Sequence, residues 1–432
     1  MKEYKVLVFP AGTEIAFEIH TALRNSKFIH LYGATSVPCH ADFLYETCVN
    51  GVPFVDAPEF IDSMNAVIDR FGIDFVYPAH DSALLELSMH EDDLHAKVVT
   101  SSYFTVRTCR SKLKTYAYLF SHDADYLPRW WSSADRVLDT DFPVFVKPAV
   151  GQGAEGAEKI ENRDALDRKV ADGKEYAICE YLPGREITVD CFTDRHGALR
   201  FIGPRTRDRI RAGIAVRSHS IPIEKQVADI AVHLNTHFKF NGAWFFQLKK
   251  DRFGLYKLME VAPRIAGTMG LSRNLGVNMP LLTLYNMLGT DVELAENPVS
   301  LVLDRAFISR FHSDVAYVNV YVDFDDTLIV RGKVNPMLIA FLYQAKNKGK
   351  NVHLLTRHDG NIFDKLEEHG ISASLFDSVI CIGKSGKKSC FIHSAASVLI
   401  DDSFSERMEV HENSGAYVFD LDMVESLLDW SA

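Results

Sequence analysis

Residues 321–328, Tyr-Val-Asp-Phe-Asp-Asp-Thr-Leu, form an apolar strand that ends in three carboxylates and a threonine. Carboxylates at i and i+2 just past a buried strand are costly to gather unless something binds them. A divalent cation such as Mg²⁺, held by one or two carboxylates plus phosphate oxygens, is the natural partner. An acidic strand-to-helix turn is the plainer alternative, since Asp is common in turns and at helix N-caps. Three further polar signals follow. Residues 351–355 run into Thr356-Arg357, residues 397–400 run into Asp401-Asp402-Ser403, and Lys384, Lys387 and Lys388 lie between. Helical patterns over 337–348 and 363–369 separate the strands, so the region predicts β-α-β-α-β with a parallel sheet. Ligands of such sheets bind beyond the carboxyl ends of the strands, where all these signals fall.

The other three quarters of the chain needs its own account. A length of 432 residues allows two to four domains. A net charge of −11 argues against nucleic acid as a partner, because phosphate backbones demand basic patches. No apolar stretch approaches the roughly 18 residues of a membrane span. The first nine residues predict a strand and not a signal peptide. Seven dispersed cysteines without metal-type spacing point to free thiols in a reducing cytoplasm.

Residues 1–100 alternate strands and helices, a Rossmann-like pattern. Residues 6–9 lead through Gly12 and Thr13 into a helix, and residues 73–78 end at Ala79-His80-Asp81. Gly12, Thr13 and Asp81 are candidates to face a substrate, with ordinary turns as the alternative. Further on, the strand 142–148 carries Lys147 near its end and runs into a loop containing Gly151, Gly153 and Gly156. Glycines let backbone N–H groups approach phosphates closely, and Lys147 adds charge beside them. The loop is neither GxGxxG nor a Walker A sequence. Residues 176–186 hold Glu180, Leu182, Gly184 and Glu186, and residues 256–264 place Glu260 on an apolar strand ahead of Arg264. An unpaired Glu260 there is costly, so a metal or Arg264 is expected to meet it. Arg205, Arg207, Arg209, Arg211 and Arg217 alternate along one stretch. Guanidinium groups on one strand face suit a carboxylate or acyl phosphate. Arg209, Arg211 and Arg217 are the substrate-binding candidates, and a solvated face paired with Asp194 and Asp208 is the alternative.

Asp-Phe-Asp-Asp-Thr, the strand-terminal Thr356, a lysine and Asp401-Asp402, in this order, resemble the four motifs of haloacid dehalogenase (HAD)-type phosphohydrolases over the last 115 or so residues. The resemblance implies a three-layer α/β/α domain without a large cap. It implies that Asp323 is the nucleophile, Asp325 the general acid/base, Thr356 a holder of phosphoryl oxygens, and Lys388 (preferred over Lys384 and Lys387) the neutralising cation. Asp323, Asp325, Asp401 and Asp402 would surround Mg²⁺.

Lys147, the glycine loop, Glu-Tyr-Leu, Gly-x-Glu and Glu260 resemble the ATP-grasp ligases, close to enzymes akin to the carbamoyl-phosphate synthetase large subunit. The likeness covers about residues 1–300. It implies that Lys112 and Lys147 contact ATP phosphates while Gly151, Gly153 and Gly156 close over them. Glu180 and Leu182 would line the adenine pocket and Glu186 would take the ribose hydroxyls. Gln247 and Glu260 would hold Mg²⁺, with Mn²⁺ able to serve in its place, and Arg264 would stand beside the transferred phosphoryl group. Two positions depart from the pattern: Ser111 replaces an aspartate, and Ala262 replaces the asparagine that supplies the second metal ligand.

The expected architecture is multidomain α/β and α+β. A Rossmann-like domain covers 1–105, an ATP-grasp domain 106–300, a linker 301–315 and a HAD-like domain 316–432. The expected activity is bifunctional: a cytoplasmic ATP-dependent carboxylate–amine ligase fused to a Mg²⁺-dependent phosphomonoesterase. Its partners would be a small carboxylate, an amine and a phosphomonoester, with neither nucleic acid nor membrane involved and a homo-oligomer allowed. The alternative leaves only the phosphatase active and makes the first part an ATP-binding regulatory or structural module.

Overall fold

A computed structural model describes residues 2–151, 153–383 and 385–431. The chain divides into two compact units, Met1–Phe307 and Ile308–Ala432.

The first unit opens with five strands, β1 (Tyr4–Phe9), β2 (Ile29–Thr35), β3 (Cys48–Asn50), β4 (Phe75–Pro78) and β5 (Lys97–Val98). They form a wholly parallel sheet in the order β3-β2-β1-β4-β5. Parallel strands need crossovers, supplied here by helices α1 (Glu14–Leu23), α2 (Phe60–Phe71) and α3 (Asp81–Met89) among others. The strand order reverses between β1 and β4, so their carboxyl ends frame the crevice where such sheets take ligands. Thr13 caps α1, accepting from Ala16 N, and its hydroxyl donates to Ala79 O at 2.8 Å. That bond ties the two ends together.

Helices α4 (Tyr103–Arg110) and α5 (Lys112–Phe120) lead into two antiparallel sheets. One contains β6 (Trp130–Trp131), β7 (Val144–Pro148), β8 (Glu158–Ile160) and β9 (Tyr176–Glu180), ordered β6-β9-β7-β8. The other contains β10 (Glu186–Thr193), β11 (Leu199–Thr206), β14 (Gly242–Lys250) and β15 (Tyr256–Ala262), ordered β11-β10-β14-β15. A hairpin of β12 (Arg209–Arg211) and β13 (Ile214–His219) is extended by β16 (Val302–Asp304). This corrects the expected linker: residues 302–304 are a strand of the first unit, fixed because Asp304 accepts from Arg209 and Arg217.

In the second unit β17 (Asn319–Val322) is followed by a short hairpin of β18 (Ile329–Val330) and β19 (Lys333–Val334). Then come β20 (Asn351–Thr356), β21 (Ser378–Cys381), β22 (Ser397–Ile400) and β23 (Tyr417–Phe419). The sheet is parallel, ordered β21-β20-β17-β22-β23. Helices Pro336–Asn347, Ile362–Glu368 and Phe404–Ser414 bury Leu338, Phe341, Leu342, Ile362, Leu366 and Val410. Because β17 is central, with β20 and β22 on either side, the polar ends of all three strands meet. Among the described residues no helix is long and apolar enough to cross a membrane.

Candidate functional site

The cleft of the first unit is built on the face of the β11-β10-β14-β15 sheet. Gln247 on β14 stands directly opposite Glu260 on β15, so their side chains share that face. Lys112 opens α5 beside them, its Nζ 4.0 Å from Glu260 Oε2. Ser111 caps this helix by accepting from Lys114 N, the N-cap role that its hydroxyl can fill in place of an aspartate. The Lys112 N–H donates to Ala149 O at 2.9 Å, which anchors the helix start to the strand that carries Lys147. Lys147 is buried and donates to Tyr116 Oη at 3.1 Å and Met259 O at 2.9 Å. Burial holds its ammonium below the ordinary lysine range.

The glycine loop meets the tip of the β12–β13 hairpin. Gly153 has φ +62° and Gly213 φ +74°, and a Cβ on Gly213 would run into the Gly153 carbonyl. Only glycine at both positions lets these backbones touch. Gly151, Gly153, Lys112, Gln247, Glu260 and Arg207 line a common cleft of about 540 Å³. Gly156 lies at the base of the same loop, packed near Pro148. Lys147, Leu182, Glu180, Phe145 and Met259 line a narrow adjoining slot, apolar enough along Phe145, Leu182 and Met259 to take a flat ring. Glu180 Oε1 accepts the Arg129 N–H at 2.9 Å, so this carboxylate shapes the slot through the backbone of its neighbour. Glu186 is engaged with Arg207 at 2.7 Å.

Three expectations change, and the departure at Ala262 persists. Arg209 and Arg217 are exposed and share Asp304, and the Arg211 guanidinium lies over the Phe307 ring. β11 ends at Thr206, and in the hairpin that follows the tip, Ala212 to Ala215, still lines the cleft while Arg209, Arg211 and Arg217 face away from it. Of this run, the arginines that line the cleft are Arg205, on β11, and Arg207, just past its end. Arg264 is committed to Asp81 through two bonds of 2.6 and 2.7 Å. Burial pushes the Asp81 carboxyl up, yet Arg264 outweighs it and holds it at about 2. Asp81, a candidate substrate contact, thus fixes Arg264 instead. Ala262 stands opposite Phe245 in a shared apolar cluster, so no second metal ligand is present there. One carboxylate and one carboxamide fit a single Mg²⁺ shared with phosphate oxygens.

The second unit holds a different site. Asp323, Thr356 and Asp401 lie at the ends of β17, β20 and β22, and all three are buried. The Lys388 ammonium, 2% exposed, donates to Asp323 Oδ1 at 2.7 Å and Asp401 Oδ2 at 2.6 Å. Lys387 is exposed, and Lys384 lies outside the described residues. Asp323, Asp401 and Asp402 bring oxygens within 4.8 Å of one another. Among the described residues this is the one set of three or more acidic, His or Cys side chains close enough to share an ion. A set of hard oxygens fits Mg²⁺. Asp325 is not in it: its Oδ2 is bonded to His358 Nδ1 at 2.8 Å. Residues 321–328 did contain one more participant, Thr327. It is fully buried, donates to Asp402 Oδ1 and accepts from Asp402 N, both at 3.0 Å. His358 carried no signal in the sequence, because its partner is 33 residues away.

Burial pushes the Asp323 carboxyl up, Lys388 opposes this and Asp401 adds to it, with a result of about 6. Because this value exceeds that of an unfolded Asp, the associated stability is present below about pH 4 and lost as pH rises through about 6. Added Mg²⁺ is therefore expected to raise the unfolding temperature more at pH 7.5 than at pH 5. Thermal denaturation with and without Mg²⁺ checks this, and equal shifts would count against an ion among these three aspartates.

A family description, "ATP-grasp in the biosynthetic pathway with Ter operon", matches residues 173–306. No curated protein matches by sequence. Biotin carboxylase from Campylobacter jejuni, solved with β,γ-ATP, is similar at a TM-score of 0.56 and 15% identity, covering 68% of this chain and 73% of that one. An L-amino acid ligase from Bacillus licheniformis gives 0.54 and 17%, covering 68% and 76%. N5-carboxyaminoimidazole synthetase from Staphylococcus aureus, complexed with ADP, gives 0.56 and 13%, covering 68% and 81%. Residues 173–306 therefore match an ATP-grasp family model, and the chain shares the mixed α/β fold of these structures.

Proposed function

We propose that the protein is a cytoplasmic ATP-dependent carboxylate–amine ligase fused to a HAD-type phosphomonoesterase, the two serving one biosynthetic route. The ligase half rests on the meeting of Lys112, Gln247 and Glu260 in one cleft beneath the Gly151–Gly153 loop. ATP would place its base in the slot beside Leu182 and its phosphates toward Lys112 and Lys147. Glu260 and Gln247 would hold one Mg²⁺, which neutralises phosphate charge. The substrate carboxylate oxygen attacks the γ-phosphorus, ADP leaves, and the amine then attacks the acyl carbon with release of phosphate. Catalysis of this kind is chiefly positioning and charge neutralisation.

In the phosphatase half, Asp323 attacks phosphorus and the alcohol leaves with a proton from Asp325. Asp325 then takes a proton from water, which attacks the aspartyl-phosphate and frees phosphate. Lys388 would offset charge between nucleophile and phosphoryl group, and the Thr356 hydroxyl would hold a phosphoryl oxygen. The second reading, an ATP-binding module beside an active phosphatase, draws on the apolar Ala262–Phe245 contact.

ADP release from MgATP, with a metabolite extract as the substrate pool, separates these readings. Glu260→Ala is expected to reduce extract-dependent ADP release by on the order of 10²-fold, leaving phosphate release from p-nitrophenyl phosphate unchanged. Tight ATP binding without ADP formation from any extract would favour the second reading.

A further inference from the structure

The β11-β10-β14-β15 sheet carries a row of four residues whose two ends differ. Arg205 pairs with Thr188, Thr188 with Gln247, and Gln247 with Glu260. All four line the same cleft. Neighbouring strands lie about 4.8 Å apart, so three steps set Arg205 roughly 14 Å from Glu260, backbone to backbone. The ligase chemistry proposed above uses the Glu260 end and leaves the Arg205 end without a task.

Arg205 is 2% exposed. Asp190 takes its Nε at 2.8 Å and Nη2 at 3.0 Å, and Ser272 steadies Asp190 with a 3.2 Å bond. The third nitrogen, Nη1, is buried without a partner. A buried donor left unmet is costly, so the fold keeps it only where an acceptor arrives from outside or the cost serves another end. Arg305 lines the same cleft, with its Nη1 beside Gly267, where a side chain would crowd it. Burial draws its ionisation down, Glu14 and then Glu18 oppose this, and the nearby Arg205 adds a smaller push in the direction of burial. Glu18 is already engaged by Arg273 at 2.8 Å. Asp190 cancels the charge of Arg205, so the surplus positive charge is small and suits one carboxylate better than a phosphate dianion.

We propose that Arg205 Nη1 and Arg305 form a subsite for a substrate carboxylate other than the one ATP activates. The proposal rests on the ligase reading. The anchored carboxylate belongs either to a dicarboxylic acid, activated at its other end, or to an amine-bearing acceptor. In both cases it holds the reacting group toward Glu260 and supplies the positioning such a reaction needs.

The test uses the full chain with MgATP. One arm offers α,ω-dicarboxylates with ammonia, and the other offers α-amino acids with acetate. Each acid is paired with its methyl ester or amide. Thermal stabilisation reports binding, and ADP release reports turnover. At least one arm is expected to bind as the free acid and not as the ester. Arg305→Gln and Arg205→Lys should each weaken that binding at least tenfold, while affinity for a fluorescent ATP analogue changes less than twofold. If Arg205→Lys fails to fold, the partly exposed Arg305 decides. Binding of no free acid, equal binding of acid and ester, or unchanged affinity in Arg305→Gln would overturn the subsite. Discriminating binding without ADP release would leave the subsite standing and sink the ligase reading. ADP release blind to the second carboxylate would do the reverse.

Discussion

Asp323→Asn is expected to lower Mg²⁺-dependent phosphate release from p-nitrophenyl phosphate by at least on the order of 10³-fold, as loss of a nucleophile does in enzymes that form a covalent intermediate. The amide cannot form the acyl phosphate, although it fits the same space. The stability of the protein should not fall with its activity. Asp323 is buried beside Asp401, and its carboxyl titrates at about 6, so at pH 7.5 the folded protein bears the cost of ionising it. Removing that charge relieves the cost, and Lys388 keeps Asp401 as a partner at 2.6 Å. Unfolding temperature at pH 7.5 should therefore hold or rise. Undiminished phosphate release in the variant would remove Asp323 from the nucleophile role.

Lys388→Met should have the opposite effect on stability. The ammonium joins two buried carboxylates, and removing one partner of a buried ion pair costs roughly 3–5 kcal/mol because the remaining charge stays desolvated. Here two carboxylates are left facing each other. Each then favours its protonated form more strongly, so the loss should be large at pH 7.5 and smaller at pH 5, where one of them takes up a proton. Mg²⁺ should restore part of it at the higher pH. Phosphate release is expected to fall as well, since Lys388 is the side-chain cation bonded to Asp323. Denaturation at both pH values provides the measurement. Equal losses at pH 5 and 7.5 would mean that methionine harms packing and that electrostatics are secondary.

The site of the second unit was largely legible because its parts lie at strand ends. A parallel strand flanked by helices brings its carboxyl terminus to the same edge as its neighbours, wherever they lie in the chain. Asp323, Thr356 and Asp401 therefore converge once β20, β17 and β22 are adjacent. Lys388 could be singled out from the lysines around it only through the apolar helix pattern that follows it. His358 could not be found at all, because its bond to Asp325 depends on how two loops fold back on each other.

The first unit is less legible in sequence where side chains meet across antiparallel strands. Of the arginine run, Arg205 and Arg207 line the cleft, whereas the sequence pattern points to Arg209, Arg211 and Arg217. Alternation states which residues share a face, and it does not state where the strand stops. Past Thr206 and Arg207 the chain enters the β12–β13 hairpin, where Arg209 and Arg217 turn outward to Asp304 and Arg211 to Phe307. Arg264 followed the same pattern: its place after Glu260 was plain, and its capture by Asp81 was not.

By itself the sequence determined the strand and helix periods, the order of the motifs, and the polar strand ends that gather carboxylates, lysines and glycine turns. Those are local properties, set by side-chain alternation, helix capping and the conformational freedom of glycine. Tertiary structure alone decided the row Arg205–Thr188–Gln247–Glu260, the Asp81–Arg264 pair and the Asp325–His358 bond. Each joins residues far apart in the chain, and strand register and loop packing, which no local pattern encodes, choose which of them face one another.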